Sequence, residues 1–163
     1  MSAVLARRAA LLLALSFALA GPAAATEPAA AFLDILPTSG GPPVRLNARQ
    51  VVRVARLEGT TILDTTAFVQ QRSSEALESL AQRLVAAGLP LVPLTDLNGA
   101  RTYLARDRIV LVRSSEQRHA AGARAAIVVT GLRFATDIAV RETVAEAMAA
   151  IARAQPSPTG SPP

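Results

Sequence analysis

A strand-like sequence occurs twice in this chain, and the repetition limits the folds that the chain can adopt. Residues 44–54, VRLNARQVVRV, are echoed by residues 102–112, TYLARDRIVLV. Three apolar positions are identical 58 residues apart: Leu46 and Leu104, Val52 and Val110, and Val54 and Val112. Because a unit shorter than about 65 residues buries only a modest part of its surface, two such units are expected to pack together as one pseudo-symmetric body. The alternative is that two unrelated runs of strands and helices share a short pattern.

The predicted first unit, residues 26–88, contains several short strands followed by one helix. Segments rich in Val, Ile and Thr indicate a strand meander; they are residues 32–36, 44–46, 51–57 and 60–70. Apolar positions then recur at helical spacing and predict a helix over residues 74–87: Leu77, Leu80, Ala81 and Leu84. Glu75 and Glu78 suit the first turn of that helix, and Gly88 with Pro90 predicts its end.

The predicted second unit, residues 89–154, has the same order of elements. Strands at 91–97 and 100–104 flank Asn98-Gly99, a dipeptide typical of a two-residue hairpin turn with positive φ at both positions. Further strands are predicted at 108–113, 126–130 and 133–140. The offset between the units grows from 58 to 67, which places the extra residues in the polar loop around His119.

A second helix closes this unit. Its apolar positions repeat the spacing of the first helix: Val144, Ala147, Met148 and Ile151. Thr143 and Glu146 form the sequence pattern of a capping box at its start. The predicted fold class is therefore α+β, a tandem repeat of a small antiparallel β-meander followed by one helix, with a disordered tail at residues 155–163.

The second unit resembles the small flagellar FlbD protein family, the short strand-rich protein of flagellar gene clusters. The residues that carry the resemblance are Leu94, Thr95, Leu97, Asn98 and Gly99 in the hairpin, Tyr103, Leu104, Asp107 and Ile109 in the next strand, and Val140, Arg141, Glu142, Thr143 and Glu146 at the helix entry. The resemblance implies a small strand-and-helix fold and a connection to the flagellum, either at the cell surface or as an intracellular regulator.

The N-terminus has the three-part order of a secretory signal peptide. Arg7 and Arg8 precede an apolar run at residues 9–20, and small residues then end in an Ala-x-Ala sequence at Ala25. As a helix the apolar run would rise about 18 Å, which is short of the roughly 30 Å hydrocarbon core of a bilayer. We therefore expect residues 1–25 to be removed between Ala25 and Thr26, leaving a periplasmic or secreted chain without a stable membrane span; an uncleaved anchor is the alternative.

The charge and the absence of cysteine exclude several classes of protein. The net charge of +5 falls to +3 when Arg7 and Arg8 are removed, and the remaining arginines are scattered among apolar residues without stacking aromatics. This pattern does not favour binding to nucleic acid. The chain has no cysteine, so it has neither disulfides nor thiolate metal sites, and its stability depends on packing of Leu, Val and Ile.

The sequence contains no recognisable catalytic, cofactor or metal motif. His119 is the only histidine, and its polar surroundings predict a solvated loop residue and not a zinc ligand or a general base. Five aspartates are predicted at strand ends or turns, where they serve the backbone locally: Asp34, Asp64, Asp96, Asp107 and Asp137. A hydrolase built from carboxylates that converge only in three dimensions is the alternative.

One candidate binding surface is basic. The densest basic run contains Arg101, Arg106, Arg108 and Arg113, and at alternating strand positions two or three of these side chains would share a face. Such a face could bind an anionic partner, and a solvated charged surface is the alternative.

Three functions of different class follow from these features. The leading prediction is an exported, non-catalytic binding or assembly module whose sheet face or strand edges engage an envelope protein, and it is compatible with a homo-oligomer. The second is a periplasmic hydrolase. The third is an intracellular flagellar regulator, which would require the N-terminus to be something other than a signal peptide.

Overall fold

The computed structural model describes residues 31–133 and 137–154. The predicted signal peptide at residues 1–25 and the predicted disordered tail at 155–163 lie outside these residues. The strands are β1 Phe32–Ile35, β2 Val44–Asn47, β3 Val51–Leu57, β4 Thr60–Thr65, β5 Gln70–Ser73, β6 Leu91–Thr95, β7 Arg101–Ala105, β8 Ile109–Ser114, β9 Ala125–Val129 and β10 Asp137–Val140. The helices are α1 Leu77–Ala86 and α2 Val144–Arg153, and short 3₁₀ turns at Ala48–Gln50 and Arg106–Arg108 lead into β3 and β8.

The described strands form three antiparallel sheets. A five-stranded sheet has the order β5-β4-β3-β7-β6, a three-stranded sheet has the order β10-β9-β8, and β1 pairs with β2. All of the pairings are antiparallel, and the two helices lie outside the sheets. The predicted α+β class is therefore confirmed.

The five-stranded sheet joins strands from the two predicted units. Its central contact is the antiparallel pair β3–β7, in which Arg53 lies opposite Leu104 and Val54 lies opposite Tyr103. Strands β3, β4 and β5 come from residues 51–73, whereas β6 and β7 come from residues 91–105. The N-terminal and C-terminal parts thus share one continuous sheet.

Two apolar clusters cover the opposite faces of this sheet. Because side chains alternate along a strand, Ala105 faces one cluster and its neighbour Leu104 faces the other. The first cluster contains α1 and also buries Leu91, which belongs to β6. The second cluster contains α2, β9 and β10, and it buries Val52 from β3. Each cluster therefore combines residues from both parts of the chain.

The two helices follow the predicted apolar patterns to different degrees. In α1 all four predicted positions are buried: Leu77, Leu80, Ala81 and Leu84. In α2 Ala147 is buried, but Met148 is 50% exposed, so the prediction for Met148 is wrong. Ala150 is buried instead, because the helix packs on the sheet through its alanine residues.

The predicted capping box at the start of α2 is confirmed. The hydroxyl of Thr143 accepts the backbone N–H of Glu146, and the carboxylate of Glu146 accepts the backbone N–H of Thr143 at 2.7 Å. Hydrogen bonds from the backbone and the hydroxyl of Thr143 hold the pKa of Glu146 below its usual value. In α1 the carboxylate of Glu75 precedes the helix and accepts the backbone N–H of Leu36 at 3.0 Å.

The predicted two-residue turn at Asn98-Gly99 is wrong. Strand β6 ends at Thr95 and β7 begins at Arg101, and within the loop only Gly99 has a positive φ, +84°. The carboxylate of Asp96 accepts the backbone N–H of Ala100 at 2.8 Å, which stabilises this longer loop. The two-residue turn occurs instead at Glu58-Gly59, where both φ angles are positive, as a type I′ hairpin requires.

The predicted strand over residues 60–70 is interrupted. β4 ends at Thr65 and β5 starts at Gln70, with a tight turn between them. In that turn the N–H of Phe68 donates to the carbonyl of Thr65 at 2.9 Å, and Phe68 has a φ of +60°. A bulky residue rarely adopts this left-handed conformation.

Gly131 packs closely against residues of β3 and of the turn after β4. A Cβ at this position would lie 2.8 Å from Cγ2 of Val52 and 3.3 Å from Cα of Thr66, and the φ of Gly131 is +89°. Glycine is required here both for its conformation and for the close packing on β3.

Replacing Gly131 by alanine should therefore destabilise the fold through two separable effects. Gly122→Ala is the matched control, because Gly122 has a φ of +91° but open space around it. We expect Gly122→Ala to cost about 1–2 kcal/mol from backbone strain, and Gly131→Ala to cost about 1–3 kcal/mol more from overpacking. Urea unfolding of both variants, and of Gly131→Ala with Val52→Ala, measures the two effects. If Val52→Ala does not reduce the penalty of Gly131→Ala, the contact with β3 is not its cause.

Candidate functional site

An open cleft of about 400 Å³ lies between the turn that joins β4 to β5 and the segment that follows β9. Phe68 and Val69 form one wall, and Leu132 and Arg133 form the other. The cleft exists because the turn and the segment come from different parts of the chain and meet at Gly131. The cleft therefore depends on tertiary packing and not on one local sequence.

The floor of the cleft is an ion pair whose charges are satisfied. Nε of Arg53 donates to Oδ2 of Asp64 at 2.6 Å, and the side chains are 26% and 12% exposed. Gln70 donates its amide N–H to the other carboxylate oxygen of Asp64 at 2.9 Å. Both oxygens of Asp64 therefore accept hydrogen bonds from neighbours, and these bonds fix the orientation of the carboxylate at the floor of the cleft.

The rim of the cleft is apolar and exposed. Phe68 is 57% exposed and Val69 is 59% exposed, although both are large apolar residues. In the loop between β6 and β7, the residue with a positive φ is Gly99, which adopts this conformation at no steric cost. Phe68 instead combines a strained backbone with an exposed aromatic ring, and strain of this kind concentrates at binding and catalytic sites.

A second polar cluster surrounds Asp137, the first residue of β10. Arg113 and Arg118 both donate to Oδ2 of Asp137, the former at 2.6 Å, and Nε2 of His119 lies 3.3 Å from the same oxygen. The side chain of Asp137 is 13% exposed. Burial alone would raise the pKa of Asp137, but hydrogen bonds from Arg113 and His119 outweigh it and hold the pKa below its usual value.

The prediction that His119 is a solvated loop residue is wrong. Its side chain is 8% exposed, because residues 115–124 fold back over the end of β10. Nδ1 of His119 accepts the backbone N–H of Glu116 at 2.8 Å and lies 3.1 Å from Oγ of Ser115. The ring therefore links the loop to β10.

Ser115 and His119 of the loop and Asp137 of β10 lie close together, but their contacts do not suit the activation of a serine nucleophile. A general base must have a free nitrogen for the serine proton. Here Nδ1 of His119, the nitrogen next to Ser115, already accepts the backbone N–H of Glu116. The contacts instead stabilise the loop.

The other predicted aspartates are dispersed through the described structure. Asp34 pairs with Arg45 at 3.3 Å across the β1–β2 hairpin, and both side chains are largely exposed. Asp96 caps the loop between β6 and β7, and Asp107 lies in the 3₁₀ turn before β8. Within residues 31–133 and 137–154, no three His, Asp or Glu side chains are arranged to hold a metal ion.

The four arginines of the predicted anionic-partner face lie on three different elements. Arg101 begins β7, Arg106 and Arg108 lie in the 3₁₀ turn, and Arg113 lies in β8. The assumption that they occupy alternating strand positions is therefore wrong for Arg106 and Arg108. Arg108 donates to the backbone carbonyl of Arg49 at 3.0 Å, and Arg113 pairs with Glu116 and Asp137. Two of the four guanidinium groups thus have partners within the chain.

Sequence reasoning missed Phe68 because it lay within a segment that resembled a continuous strand. The length of that segment was the available signal, because residues 60–70 exceed the usual strand of about 5–6 residues and a turn was to be expected within it. Sequence reasoning also missed the contact between His119 and Asp137, which are 18 positions apart.

Neither helix of the described chain has the length and apolar character that a membrane crossing requires. Comparison of the chain with models of known protein families, with curated proteins and with solved structures gives no match in any of the three. The resemblance to the FlbD family therefore has no support beyond the residues that suggested it.

The Asp137 cluster predicts a stability that depends on acid pH. A carboxylate whose pKa is lowered on folding stabilises the protein above its ordinary value of 3.8, and this contribution is lost as the pH falls below it. Asp137→Asn should therefore destabilise the protein near neutral pH, and its difference from the wild type should shrink as the pH falls from about 5 to about 2. Urea unfolding across this range measures the difference.

The control for this experiment is Asp34→Asn, which removes an exposed surface ion pair and should change stability by less than about 1 kcal/mol. A penalty for Asp137→Asn that stays constant from neutral to acid pH would contradict the proposed role of the carboxylate charge.

Proposed function

We propose that this chain is an exported, non-catalytic binding or assembly module of the cell envelope that holds an envelope protein at the cleft beside Phe68. The observation that carries the proposal is the exposed aromatic ring of Phe68, kept at a backbone position that favours glycine. An apolar side chain of the partner would enter the cleft between Phe68 and Leu132 and cover the exposed Val69. Buried aromatic residues at the centre of a contact supply much of its binding energy.

The proposal of a non-catalytic role rests on how the polar groups are used. Asp64 accepts a hydrogen bond at each carboxylate oxygen, and His119 is engaged at both ring nitrogens. Asp137 accepts its hydrogen bonds at Oδ2, and its other oxygen, Oδ1, has no partner but is buried away from solvent. A catalytic acid, base or nucleophile needs a group that faces substrate with an unoccupied atom. These groups instead stabilise the walls of the cleft and the loop over β10.

The finer architecture is part of the proposal: a tandem repeat of a β-meander and a helix, related by pseudo-symmetry. Matching hydrogen bonds support it. The N–H of Leu36 donates to the carboxylate of Glu75, and the N–H of Thr95 donates to the carboxylate of Glu142. Strands β3 and β8 also carry the same irregularity of register, between Val51 and Arg53 in one and between Ile109 and Leu111 in the other. The partner is a component of a surface apparatus such as the flagellum if the FlbD resemblance extends to function.

Export is tested by the N-terminus of the protein that accumulates in the cell. We expect cleavage between Ala25 and Thr26, because small residues at Ala23 and Ala25 follow the apolar run. Mass spectrometry of the protein from the periplasm or the medium should find a chain that begins at Thr26. A full-length chain confined to the cytosol would contradict export and would favour the intracellular regulator.

The role of Phe68 is tested by Phe68→Gly, which separates stability from binding. Glycine relieves the left-handed strain, so we expect the variant to be more stable by roughly 1 kcal/mol. The same variant should lose capture of the envelope partner in a cross-linked pulldown from the periplasmic fraction, since the aromatic contact is gone. Urea unfolding and quantitative mass spectrometry of the captured proteins measure the two effects.

The control for that experiment is Val85→Gly or Val85→Ala on α1, because Val85 is 52% exposed and lies away from the cleft. Val85→Ala should leave capture unchanged. Retention of the same partners by Phe68→Gly would show that the cleft is not the binding surface.

A further inference from the structure

We infer that strand β8 pairs with strand β2 of a second copy of this chain, in the register that β3 and β7 use within one chain. This contact is separate from the cleft at Phe68, and it concerns self-association through sheet edges. It would join the three-stranded sheet of one copy to the β1–β2 hairpin of another. The result would be a second five-stranded sheet, with the order β10-β9-β8-β2-β1.

The pair β3–β7 supplies the template for this contact. Arg53 lies opposite Leu104 in that pair. In the repeated sequence Arg53 corresponds to Leu111, 58 positions later, and Leu104 corresponds to Leu46, 58 positions earlier. The corresponding pair is therefore Leu111 opposite Leu46. The same shift brings Val112 opposite Arg45. Two strands that are antiparallel in the template remain antiparallel after the shift.

Both strands of the inferred pair have a free edge in the described part of the chain. β8 pairs only with β9, and β2 pairs only with β1. Such an edge exposes unpaired backbone N–H and C=O groups that another strand can bind. The edges of the five-stranded sheet are protected, since β6 has Pro93 at its centre, and β5 carries Arg72 and forms a bridge from Ser73 to Pro37. β8 has no such protection, because it begins with four consecutive apolar residues, Ile109 to Val112.

The exposure of apolar residues on β8 indicates a missing neighbour. Val52 and Val110 occupy the same place in their strands, within the irregularity of register where one extra residue is inserted. Val52 is fully buried, whereas Val110 is 58% exposed and the adjacent Leu111 is 44% exposed. Val44 at the start of β2 is also 37% exposed. Apolar side chains are thus uncovered on both strands of the inferred pair.

The pairings within one chain leave the inferred contact to a second copy. β2 pairs with β1 and β8 pairs with β9, in two separate sheets, and β2 and β8 do not pair with each other. A second copy can bring its β2 to the edge of β8 without breaking either of these pairs.

Cysteine cross-linking tests the inferred register without interference, because the chain has no cysteine of its own. Directly opposite residues of an antiparallel pair have Cα atoms about 4.5–5.5 Å apart, which suits a disulfide. Two full-length proteins are prepared, one with Leu46→Cys and one with Leu111→Cys, each purified in the form that accumulates in the cell. On mixing under mild oxidation, we expect a disulfide-linked dimer that contains one chain of each variant.

Each alternative outcome has a matched control. Val85→Cys replaces Leu46→Cys in a parallel mixture, and its cross-linked yield with Leu111→Cys should be at least about tenfold lower because those residues are not held together. A second pair, Arg45→Cys with Val112→Cys, covers the case in which Leu46→Cys does not fold, as judged by circular dichroism. Equal yields with Val85→Cys, or no heterodimer from either pair, would overturn the inference.

Two further measurements separate self-association from related possibilities. A single chain carrying both Leu46→Cys and Leu111→Cys that closes its disulfide internally would show that β8 pairs with β2 of its own chain, and it would overturn the inference. In light scattering of the wild type, the mass should rise with concentration above that of one chain, and Val110→Lys should abolish the rise while Val85→Lys does not. Because only purified protein is used, failure here leaves the role of Phe68 untouched.

Discussion

The antiparallel contact between β3 and β7 is the interaction on which the other features of this structure depend. It places strands from residues 51–73 and from residues 91–105 in one sheet, so both faces of that sheet must be covered. Helix α1 covers one face, and the three-stranded sheet with α2 covers the other. Neither helix has enough apolar area to cover a sheet alone, because each presents a single stripe of residues. The shared sheet therefore links the two apolar clusters into one packed body.

The same contact creates the cleft and determines which groups line it. Once β3 and β7 are paired, the turn after β4 and the segment after β9 meet at Gly131, where backbone approaches side chain without an intervening Cβ. Arg53, which lies in the pair itself, is placed at the floor beside Asp64. A partly buried arginine and aspartate are costly to separate, since each would leave the other as an unpaired charge. The ion pair thus holds the floor rigid below an apolar rim.

The charged groups around Asp137 stabilise a loop. Asp137 gathers Arg113, Arg118 and His119 from β8 and the long loop that follows it. The two-residue turn at Glu58-Gly59 needs no such support, because its backbone geometry matches the twist of β3 and β4. The loop between β8 and β9 has no regular backbone hydrogen-bonding pattern, and side-chain contacts stabilise it instead. Large apolar side chains are also exposed, among them Phe68 at the cleft and Val110 at the edge of β8.

Much of the local structure follows from short-range patterns that a sequence contains in full. The stripe at Leu77, Leu80, Ala81 and Leu84 predicts α1, and Thr143 with Glu146 predicts the start of α2, because helical periodicity and capping depend only on residues a few positions apart. Strand β3 is predicted at its observed bounds for the same reason. The turn at Phe68 and the exposure of Met148 were not predicted, since propensities do not specify which side of an element faces its neighbours.

Local periodicity, turn residues and caps thus predict the α+β class and most of the elements in their order, although they merge β4 and β5 into one strand. Long-range packing instead establishes that β3 pairs with β7, that His119 is buried beside Asp137, and that Phe68 is exposed at a cleft. The residues that these features bring together are far apart in the sequence: 18 positions for His119 and Asp137, 51 for Arg53 and Leu104, and 64 for Phe68 and Leu132. Such contacts are selected by the packing of whole sheet faces, a property that no single stretch of the chain contains.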